Sequence, residues 1–484
     1  MALFATYWDD SWHTDRGRDA TLAPPHVALY VGVAVMAGAV VVWWWHAGSR
    51  VGRRVALGSD PLLARAASGV MAMIVSAPLD DLWHRLYGRD AILWSPPHLL
   101  AVAATTLVAA ALVAAVARIE TASGPWLRPA AGALLLGALV VPVMEYESDV
   151  PQLAVGLYLP VLCAGVLVAT GVIRRVDPSP WAVTRAAIAY SGLRAGIVVV
   201  LAAIGSSTPI ISPVLVLAVV IDLMIQWHRS PWWLILAVPV VAHGVYVLWL
   251  PTVPNGVAIA TSAVPASLVG SIAASGLAVV LAWDWIDGRR WISVASVGLV
   301  GAALAVGGWP GRPAAAHDPG QGEVVAGASV SGIVEGQRVR LEIQLEDCAD
   351  LTPRRTVARR AGETEIGALR ATDAPCRFEG RVETPADGRW FVYAELEDGG
   401  GRTLETWIPV SSGGASRHDH RRDLYRVRAP STGSGQSVAG AALLLSAAAL
   451  FTAAARVPVS RTPGRARPPE PVPPDHDPPD PGDT

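Results

Sequence analysis

The chain has 484 residues, of which 52% are hydrophobic and only 16% are charged. Soluble domains average about 25% charged residues, so this composition favours a membrane protein over a soluble enzyme. The net charge of −2 provides no basic field that would attract nucleic acid, and we expect no nucleic-acid partner. Residues 1–19 contain neither a basic start nor an apolar core, so we expect no cleavable signal there.

Long apolar stretches alternate with short polar loops along most of the chain. A helix needs roughly 20 mainly apolar residues to cross a bilayer, and this requirement predicts about eleven transmembrane helices. Their predicted starts lie near Val27, Leu62, Leu99, Ala130, Leu153, Ala186, Ile210, Trp232, Val257, Trp291 and Val438.

Arginines are concentrated in alternate loops between these spans. The loops at residues 145–152, 206–209 and 251–255 contain none. Because positively charged loops stay in the cytoplasm, we predict a multi-pass protein of the cell membrane with its N-terminus outside and its C-terminus inside. The arginines of the other loops are Arg50, Arg53, Arg54, Arg118, Arg174, Arg175, Arg185, Arg229, Arg289, Arg290, Arg456, Arg461, Arg465 and Arg467.

Residues 311–435 have a different pattern. Apolar and polar side chains alternate there between turns rich in Gly, Asp and Pro, as in EGQRVRLEIQLED and GRWFVYAELEDGGG. Alternation with a period of two is typical of antiparallel strands, and we predict a small extracytoplasmic β-sandwich. Outside the cytoplasm a disulfide can persist, and we predict one between Cys348 and Cys376.

The predicted fold class is an all-α polytopic membrane bundle with this β-sandwich inserted before the last span. Residues 1–118 form duplicated membrane repeats, and residues 119–310 form the rest of the bundle. The sandwich and its linkers occupy residues 311–435, and the last transmembrane helix occupies residues 436–456. Residues 457–484 are a Pro/Asp-rich cytoplasmic tail, which we predict to be disordered.

Two stretches near the N-terminus repeat one pattern. The first reads DDSWH at residues 9–13 and PPH at residues 24–26. The second reads DDLWH at residues 80–84 and PPH at residues 96–98, and each copy has GRD between its two parts. The copies are two predicted spans apart, so both face the same side of the membrane.

Each copy of the motif can supply one carboxylate and two imidazoles. The first Asp and the first His are four residues apart, which places both side chains on one face of a helix. The proline pair then begins the next helix, with the second His in its first turn. Such a donor set suits Cu(II), Zn(II) or Fe(II). The predicted metal ligands are Asp9, His13 and His26 in the first copy and Asp80, His84 and His98 in the second.

A structural role is the alternative interpretation of the motif. A Trp-His pair can anchor a helix end at the membrane interface, and an Arg-Asp pair can lock a loop. A pure anchor does not require the acid and both histidines in both copies, so we prefer metal binding. Arg18–Asp19 and Arg89–Asp90 are then interpreted as residues that orient the ligands, for example an Asp that accepts the second N–H of an imidazole.

The first copy, DDSWHTDRGRDATLAPPH, resembles the metal-site segment of the C subunit of copper membrane monooxygenases, the particulate methane and ammonia monooxygenases. The resemblance covers residues 9–26 and implies an outward-facing intramembrane copper site. It also implies a copper-dependent monooxygenase, or a subunit of one, that works with partner membrane subunits on a small hydrophobic substrate. The alternative is a non-catalytic copper-handling, transport or assembly protein with an outer docking domain. The residues that match the family pattern are Asp9, Ser11, Trp12, His13, Arg18, Asp19, Pro24 and His26.

Other polar residues in or near the predicted spans have simpler interpretations. Glu145, Glu147 and Asp149 follow a span, and we expect them to be solvated loop acids, with extension of a metal site as the alternative. Arg194 lies inside a span, where a charge is costly and usually paired. We predict a structural bridge to Asp222, with a transport relay as the alternative.

Histidines outside the motif are weaker candidates. His243 lies within a predicted span, and we expect it to form a hydrogen bond between helices. His317 and the pair His418 and His420 flank the predicted sandwich, where we expect a solvated linker.

Overall fold

The computed structural model describes residues 1–16, 22–87, 93–119, 124–151, 153–228, 230–249, 259, 261–283, 323–360, 363–427 and 434–456. In this part of the chain, nine helices are long and apolar enough to cross a membrane. The chain is therefore a multi-pass membrane protein with a separate β domain before its last helix.

Thirteen α-helices are present in the described residues. Short 3-10 turns at Val141–Val143, Val155–Leu157, Pro231–Trp233 and Thr261–Ala263 precede four of them. The helices are α1 (Ala2–Arg16), α2 (Pro24–Val51), α3 (Arg53–Ser59), α4 (Pro61–Tyr87), α5 (Pro96–Val116), α6 (Gly124–Val140), α7 (Met144–Glu147), α8 (Tyr158–Val176), α9 (Ala182–Ala203), α10 (Val214–His228), α11 (Leu234–Trp249), α12 (Val264–Trp283) and α13 (Ser434–Ala455).

Most of the predicted spans correspond to these helices. The nine long helices match nine of the predicted starts, from Val27 to Val438. The span predicted from Ile210 is a shorter apolar helix, Val214–Trp227. The span predicted from Trp291 lies outside the described residues.

The centre of the bundle is formed by α6 and α8. In both, 72% of the spanning window is buried, whereas only 6% is buried in α2. Close helix contact at the centre depends on small residues, because Gly165 of α8 lies against the backbone of Leu139 and Gly171 lies against Ala282. In contrast, α2 lies at the periphery with one side facing outward.

The two ends of the bundle differ in chemistry. At one end, Arg118 lies 3.9 Å from Asp60, and Arg185 lies 3.2 Å from Asp177. The opposite end carries α1, the first turns of α2 and α5, and the segment 144–151. The β domain sits on this second end.

The β domain is a closed antiparallel barrel of eight strands. Its strand order is β1-β2-β5-β4-β3-β6-β7-β8, and β8 returns to pair with β1 from Gly336↔Gly414 to Glu323↔Arg426. Side chains such as Trp390, Val392 and Leu341 fill its interior. The strands are β1 (Glu323–Gly336), β2 (Arg338–Leu345), β3 (Thr352–Arg360), β4 (Glu363–Ala371), β5 (Arg377–Glu383), β6 (Gly388–Glu397), β7 (Thr403–Ser412) and β8 (Gly414–Arg426).

The predicted β-sandwich is therefore wrong. Alternation shows that each strand has one apolar face, but it does not show which strands lie next to each other. Pairing of the first strand with the last closes the sheet and removes both of its edges. This pairing joins residues as far apart as Ser331 and Asp419, which no local pattern indicates.

The predicted disulfide is confirmed. Cys348 and Cys376 are bonded, with their Cα atoms 5.3 Å apart. The bond links the segment after β2 to the turn before β5. Cys163 is a free, buried cysteine inside the bundle.

Candidate metal centre

The structure brings together the three predicted ligands of the first motif copy. His26 Nε2 lies 3.0 Å from Asp9 Oδ1, and His13 Nε2 lies 3.7 Å from the same oxygen. One ligand atom from each residue lies within 4.8 Å of the others. In the described part of the chain, this is the one group of three or more His, Cys, Asp or Glu side chains close enough to share a metal ion. Atoms that each bind one ion at about 2 Å lie about 3–4 Å apart, so the spacing fits a metal site.

Local structure accounts for this convergence. Asp9 and His13 are one turn apart on α1 and therefore project from the same face. Pro24 and Pro25 form the first turn of α2, where the absent N–H of proline costs no helical hydrogen bond. They place His26 next to α1, and its ring meets that of His13 edge to face with centroids 5.9 Å apart.

Asp9 supplies a negative charge to the site. Burial alone would raise the pKa of Asp9, but the positive charges of His13, His26 and His98 and the hydrogen bond from His26 outweigh it and lower this pKa to about 2. The carboxylate is therefore ionised at neutral pH, which is the form that binds metals. The side chains of Asp9, His13 and His26 are 23%, 19% and 14% exposed, but the atoms Asp9 Oδ1 and His13 Nε2 are themselves buried.

The neighbouring Asp10 has the opposite environment. Its side chain turns into the protein and accepts a hydrogen bond from the hydroxyl of Ser148. Burial raises the pKa of Asp10 to about 7, and the hydrogen bond from Ser148 opposes this rise. Of the two adjacent aspartates, only Asp9 is thus placed as a metal ligand.

The second motif copy repeats part of the same geometry. His98 Nε2 lies 3.3 Å from Asp80 Oδ1, which matches the pair of Asp9 and His26 in the first copy. The charge of His98 contributes to the low pKa of Asp9, which indicates that the two copies lie close together. The side chain of His84, the third predicted ligand, lies outside the described part of the chain, as do Arg18, Asp19, Arg89 and Asp90.

Acidic residues after α6 lie at the same end of the bundle as the site. Glu145, Glu147 and Asp149 are 3%, 1% and 2% exposed, so the prediction of solvated loop acids is wrong. Glu147 accepts hydrogen bonds from Tyr7 of α1 at 3.1 Å and from Arg194 at 2.7 Å. The acids are buried because α1 and the β domain cover the end of the bundle where they lie.

The predicted bridge between Arg194 and Asp222 is also wrong. Asp222 instead accepts hydrogen bonds from the N–H and the hydroxyl of Thr184, both at 2.8 Å. Arg194 donates to the carbonyl oxygen of Ile210 at 2.8 Å, so the segment between α9 and α10 enters the bundle before α10 begins. Asp222 therefore lies level with Thr184, near the start of α9, and not level with Arg194. The sequence contained one signal for this pair. A buried arginine requires an acidic partner, and Glu147 is an acid at the end of a span.

The ligand-bearing helix α1 is held by polar contacts. The hydroxyl of Ser11 donates to the carbonyl oxygen of Ser207 at 2.8 Å. The N–H of Ser207 donates to a carboxylate oxygen of Asp15 at 2.7 Å. Together with the bond from Tyr7 to Glu147, these contacts fix the helix along most of its length.

The barrel contacts the same end of the bundle through a buried ion pair. Arg360 of β3 donates to Asp149 at 2.6 Å, and both side chains are at most 4% exposed. The N–H of Arg389 donates to the other oxygen of Asp149 at 2.7 Å. Gly388 is required beside this pair, because a Cβ atom at this position would lie 2.4 Å from the guanidinium of Arg360.

The remaining histidines have different surroundings. His243 forms hydrogen bonds to the carbonyl oxygen of Pro239 at 2.8 Å and to Ser267 at 3.3 Å, as predicted for a contact between helices. His418 and His420 belong to β8, so the expectation of a solvated linker is wrong for them. His317 lies outside the described residues.

Comparison with known proteins adds no relative: no family model, no curated protein and no solved structure matches this chain. The resemblance to the copper monooxygenase subunit therefore depends on residues 9–26 alone and stays a prediction.

Proposed function

We propose that this chain is an integral membrane copper-binding protein that holds the metal with Asp9, His13 and His26. The observation that carries the proposal is the convergence of the three ligand atoms within 4.8 Å of one another. Asp9 is ionised at neutral pH, so this set of ligands carries a negative charge that attracts a cation. A carboxylate and two imidazoles suit Cu(II), with zinc and iron as alternatives.

The catalytic form of the proposal follows the resemblance. Copper held by three protein ligands would keep one coordination position free. It would supply redox chemistry toward O2. Asp9 and His13 would position the ion from α1, and His26 from α2. Because only 6% of the spanning window of α2 is buried, a small hydrophobic substrate can approach His26 from the bilayer. In this form the chain is a monooxygenase or a subunit of one, with partner membrane subunits.

Copper handling without catalysis is the second candidate. It is favoured by the position of the three ligands near the surface, where their side chains are 14% to 23% exposed and a donor or an acceptor protein can approach. The repeated pair of Asp80 and His98 also fits this function, because neighbouring sites can pass an ion from one to the other. We include His84 in the second site on the basis of the repeat alone.

Both candidates place the metal on the outer side of the membrane. Arg118 and Arg185 lie at the end of the bundle opposite the site. Loops rich in arginine stay in the cytoplasm. The site and the barrel would then face outside, where extracytoplasmic copper is available.

Metal analysis of the full chain tests the proposal. The protein is purified in detergent without chelator, and bound copper, zinc and iron are measured by mass spectrometry. We expect His13→Ala and Asp9→Asn to lose the metal of the first site. His46→Ala is the matched control, because His46 is exposed near the other end of α2 and should leave the metal content unchanged.

The outcome separates the candidates. Full metal content in His13→Ala would refute the site and leave the structural anchor as the role of the motif. O2 consumption is measured with a small hydrocarbon and an added two-electron reductant, because a monooxygenase reduces the second oxygen atom to water. Copper-dependent consumption that is lost in His13→Ala would support catalysis. Copper binding with no O2 consumption would support copper handling.

A further inference from the structure

The barrel reaches the end of the helix that carries two of the three ligands. Arg422 of β8 donates from Nη2 to the carbonyl oxygen of Asp15 at 2.7 Å. Asp15 lies in the last turn of α1, two residues after His13. The last carbonyl groups of a helix have no partner within the helix, so this bond satisfies one of them.

Helix α1 needs such support. It has 15 residues, and isolated helices of this length are marginal in water. Its buried residues include Asp10, Ser11 and Thr14, so much of its packing surface is polar. A guanidinium beside its C-terminus also interacts favourably with the helix dipole. The position of the last turn therefore depends on hydrogen bonds from outside the helix.

The arginine that caps the helix is itself held firmly. Its guanidinium lies over the ring of Trp407, 4.1 Å from the ring centroid. The barrel is anchored separately to the bundle by the buried pair of Arg360 and Asp149. Nearby, Arg389 donates to the hydroxyl of Ser207 at 3.3 Å, and Ser207 binds Asp15. Two arginines of the barrel thus act on the same end of α1.

We propose that Arg422 is a positioning residue for the metal centre, through which the barrel holds the last turn of α1 and with it His13. This inference rests on the proposed function of Asp9, His13 and His26. Without this bond the last turn of α1 keeps only its contacts with Ser207. It then loosens, and His13 leaves the position from which it and His26 share one ion. The barrel in this view stabilises the site and does not merely dock a partner.

The experiment compares neighbouring arginines in the full chain. Arg421 is the matched control, because it is 81% exposed and bonds to Glu346 of the barrel instead of to α1. Copper affinity is measured by competition with a chelator, the ligand field by electron paramagnetic resonance of Cu(II), and the order of α1 by hydrogen exchange of residues 12–16. Arg422→Lys keeps the positive charge but loses the planar guanidinium. We therefore expect it to retain part of the copper affinity that Arg422→Ala loses.

We expect Arg422→Ala to weaken copper binding about tenfold, the size expected for loss of one hydrogen bond to a charged group. It should also broaden the Cu(II) spectrum and speed exchange in residues 12–16, while Arg421→Ala changes none of the three. Unchanged affinity and spectrum in Arg422→Ala would overturn the inference, whether or not exchange changes, and would leave the proposed function intact. Absence of copper from the wild-type protein would instead overturn the proposed function, and the positioning role with it.

Discussion

Arg194 and Glu147 form an ion pair of 2.7 Å in which neither side chain is exposed to solvent. The pair joins α9 to the end of α7, and Tyr7 of α1 adds a hydrogen bond to the same carboxylate. The guanidinium also lies over the ring of Tyr7, 3.6 Å from its centroid. This buried group links the ligand-bearing helix to the core of the bundle.

Removal of one partner of this pair should destabilise the protein strongly. Glu147→Gln leaves the buried guanidinium without its counter-charge, and such changes cost about 3–5 kcal/mol. Thermal unfolding in detergent, followed by circular dichroism, measures the effect. Arg185→Ala breaks a pair in which the arginine is 42% exposed, and we expect at most about 1 kcal/mol there. Equal losses in the two variants would contradict the role given to Glu147.

The disulfide should stabilise the barrel. Cys348 and Cys376 are 28 residues apart in sequence, and a loop of this length contributes about 3.6 kcal/mol by restricting the unfolded chain. We expect Cys348→Ser with Cys376→Ser to lower the unfolding temperature of the barrel, measured by differential scanning calorimetry. Cys163→Ser is the control, since Cys163 is not in a disulfide. Free thiols at both positions in the oxidised wild-type protein would show that the bond is absent.

Stability should depend on pH through Glu405 of β7. Burial raises the pKa of Glu405 to about 7, while the charge of Arg359 opposes this rise. In the unfolded chain a glutamate releases its proton near pH 4.3, so between about pH 4.3 and 7 the folded state holds a proton that the unfolded state has lost. Stability contributed by this group is therefore complete at low pH and declines as the pH rises toward 7.

Glu405→Gln should remove this part of the pH dependence. Unfolding temperatures at several pH values between 4.5 and 7.5 measure it, with the exposed Glu335→Gln as control. Parallel pH profiles for the wild-type protein and Glu405→Gln would show that Glu405 does not titrate in this range.

Metal binding should weaken as the solution becomes acidic, and the histidines should set the range. Asp9, with a pKa of about 2, stays ionised far below neutral pH. Imidazoles must be neutral to bind a metal, and free histidine takes up its proton near pH 6.5. We expect copper occupancy, measured after equilibrium dialysis, to fall between about pH 6.5 and 4.5. Occupancy that falls only below pH 3 would indicate a site made of carboxylates instead.

The orientation predicted from the arginines can be tested with single cysteines. Ser411 is exposed on the barrel, and Ser49 is exposed at the opposite end of the bundle. In intact cells we expect Ser411→Cys to react with an impermeant maleimide and Ser49→Cys to react only after permeabilisation. The remaining cysteines should be silent, because Cys163 is buried and the other two are bonded. Labelling in the reverse order would invert the topology.

Local patterns in the sequence were enough to predict the features that depend on neighbouring residues. Apolar length predicted the spans, because the bilayer imposes a length on each helix separately. A spacing of four residues predicted that Asp9 and His13 share a helical face, and the repeat of PPH placed His26 at a helix start. The alternation after residue 323 predicted strands correctly. None of these inferences requires knowledge of a distant part of the chain.

The contacts between these elements join residues that are far apart in the sequence. Tyr7 and Glu147 are 140 residues apart, and Arg422 and Asp15 are 407 apart. A buried charge pairs with the opposite charge that packing brings close to it. The position of Arg194 along its span therefore did not show that Glu147 is its partner. Closure of the barrel depends likewise on pairing between its first and last strands. The candidate ligands were therefore readable in the sequence, whereas the contacts that hold them arise from packing between distant segments.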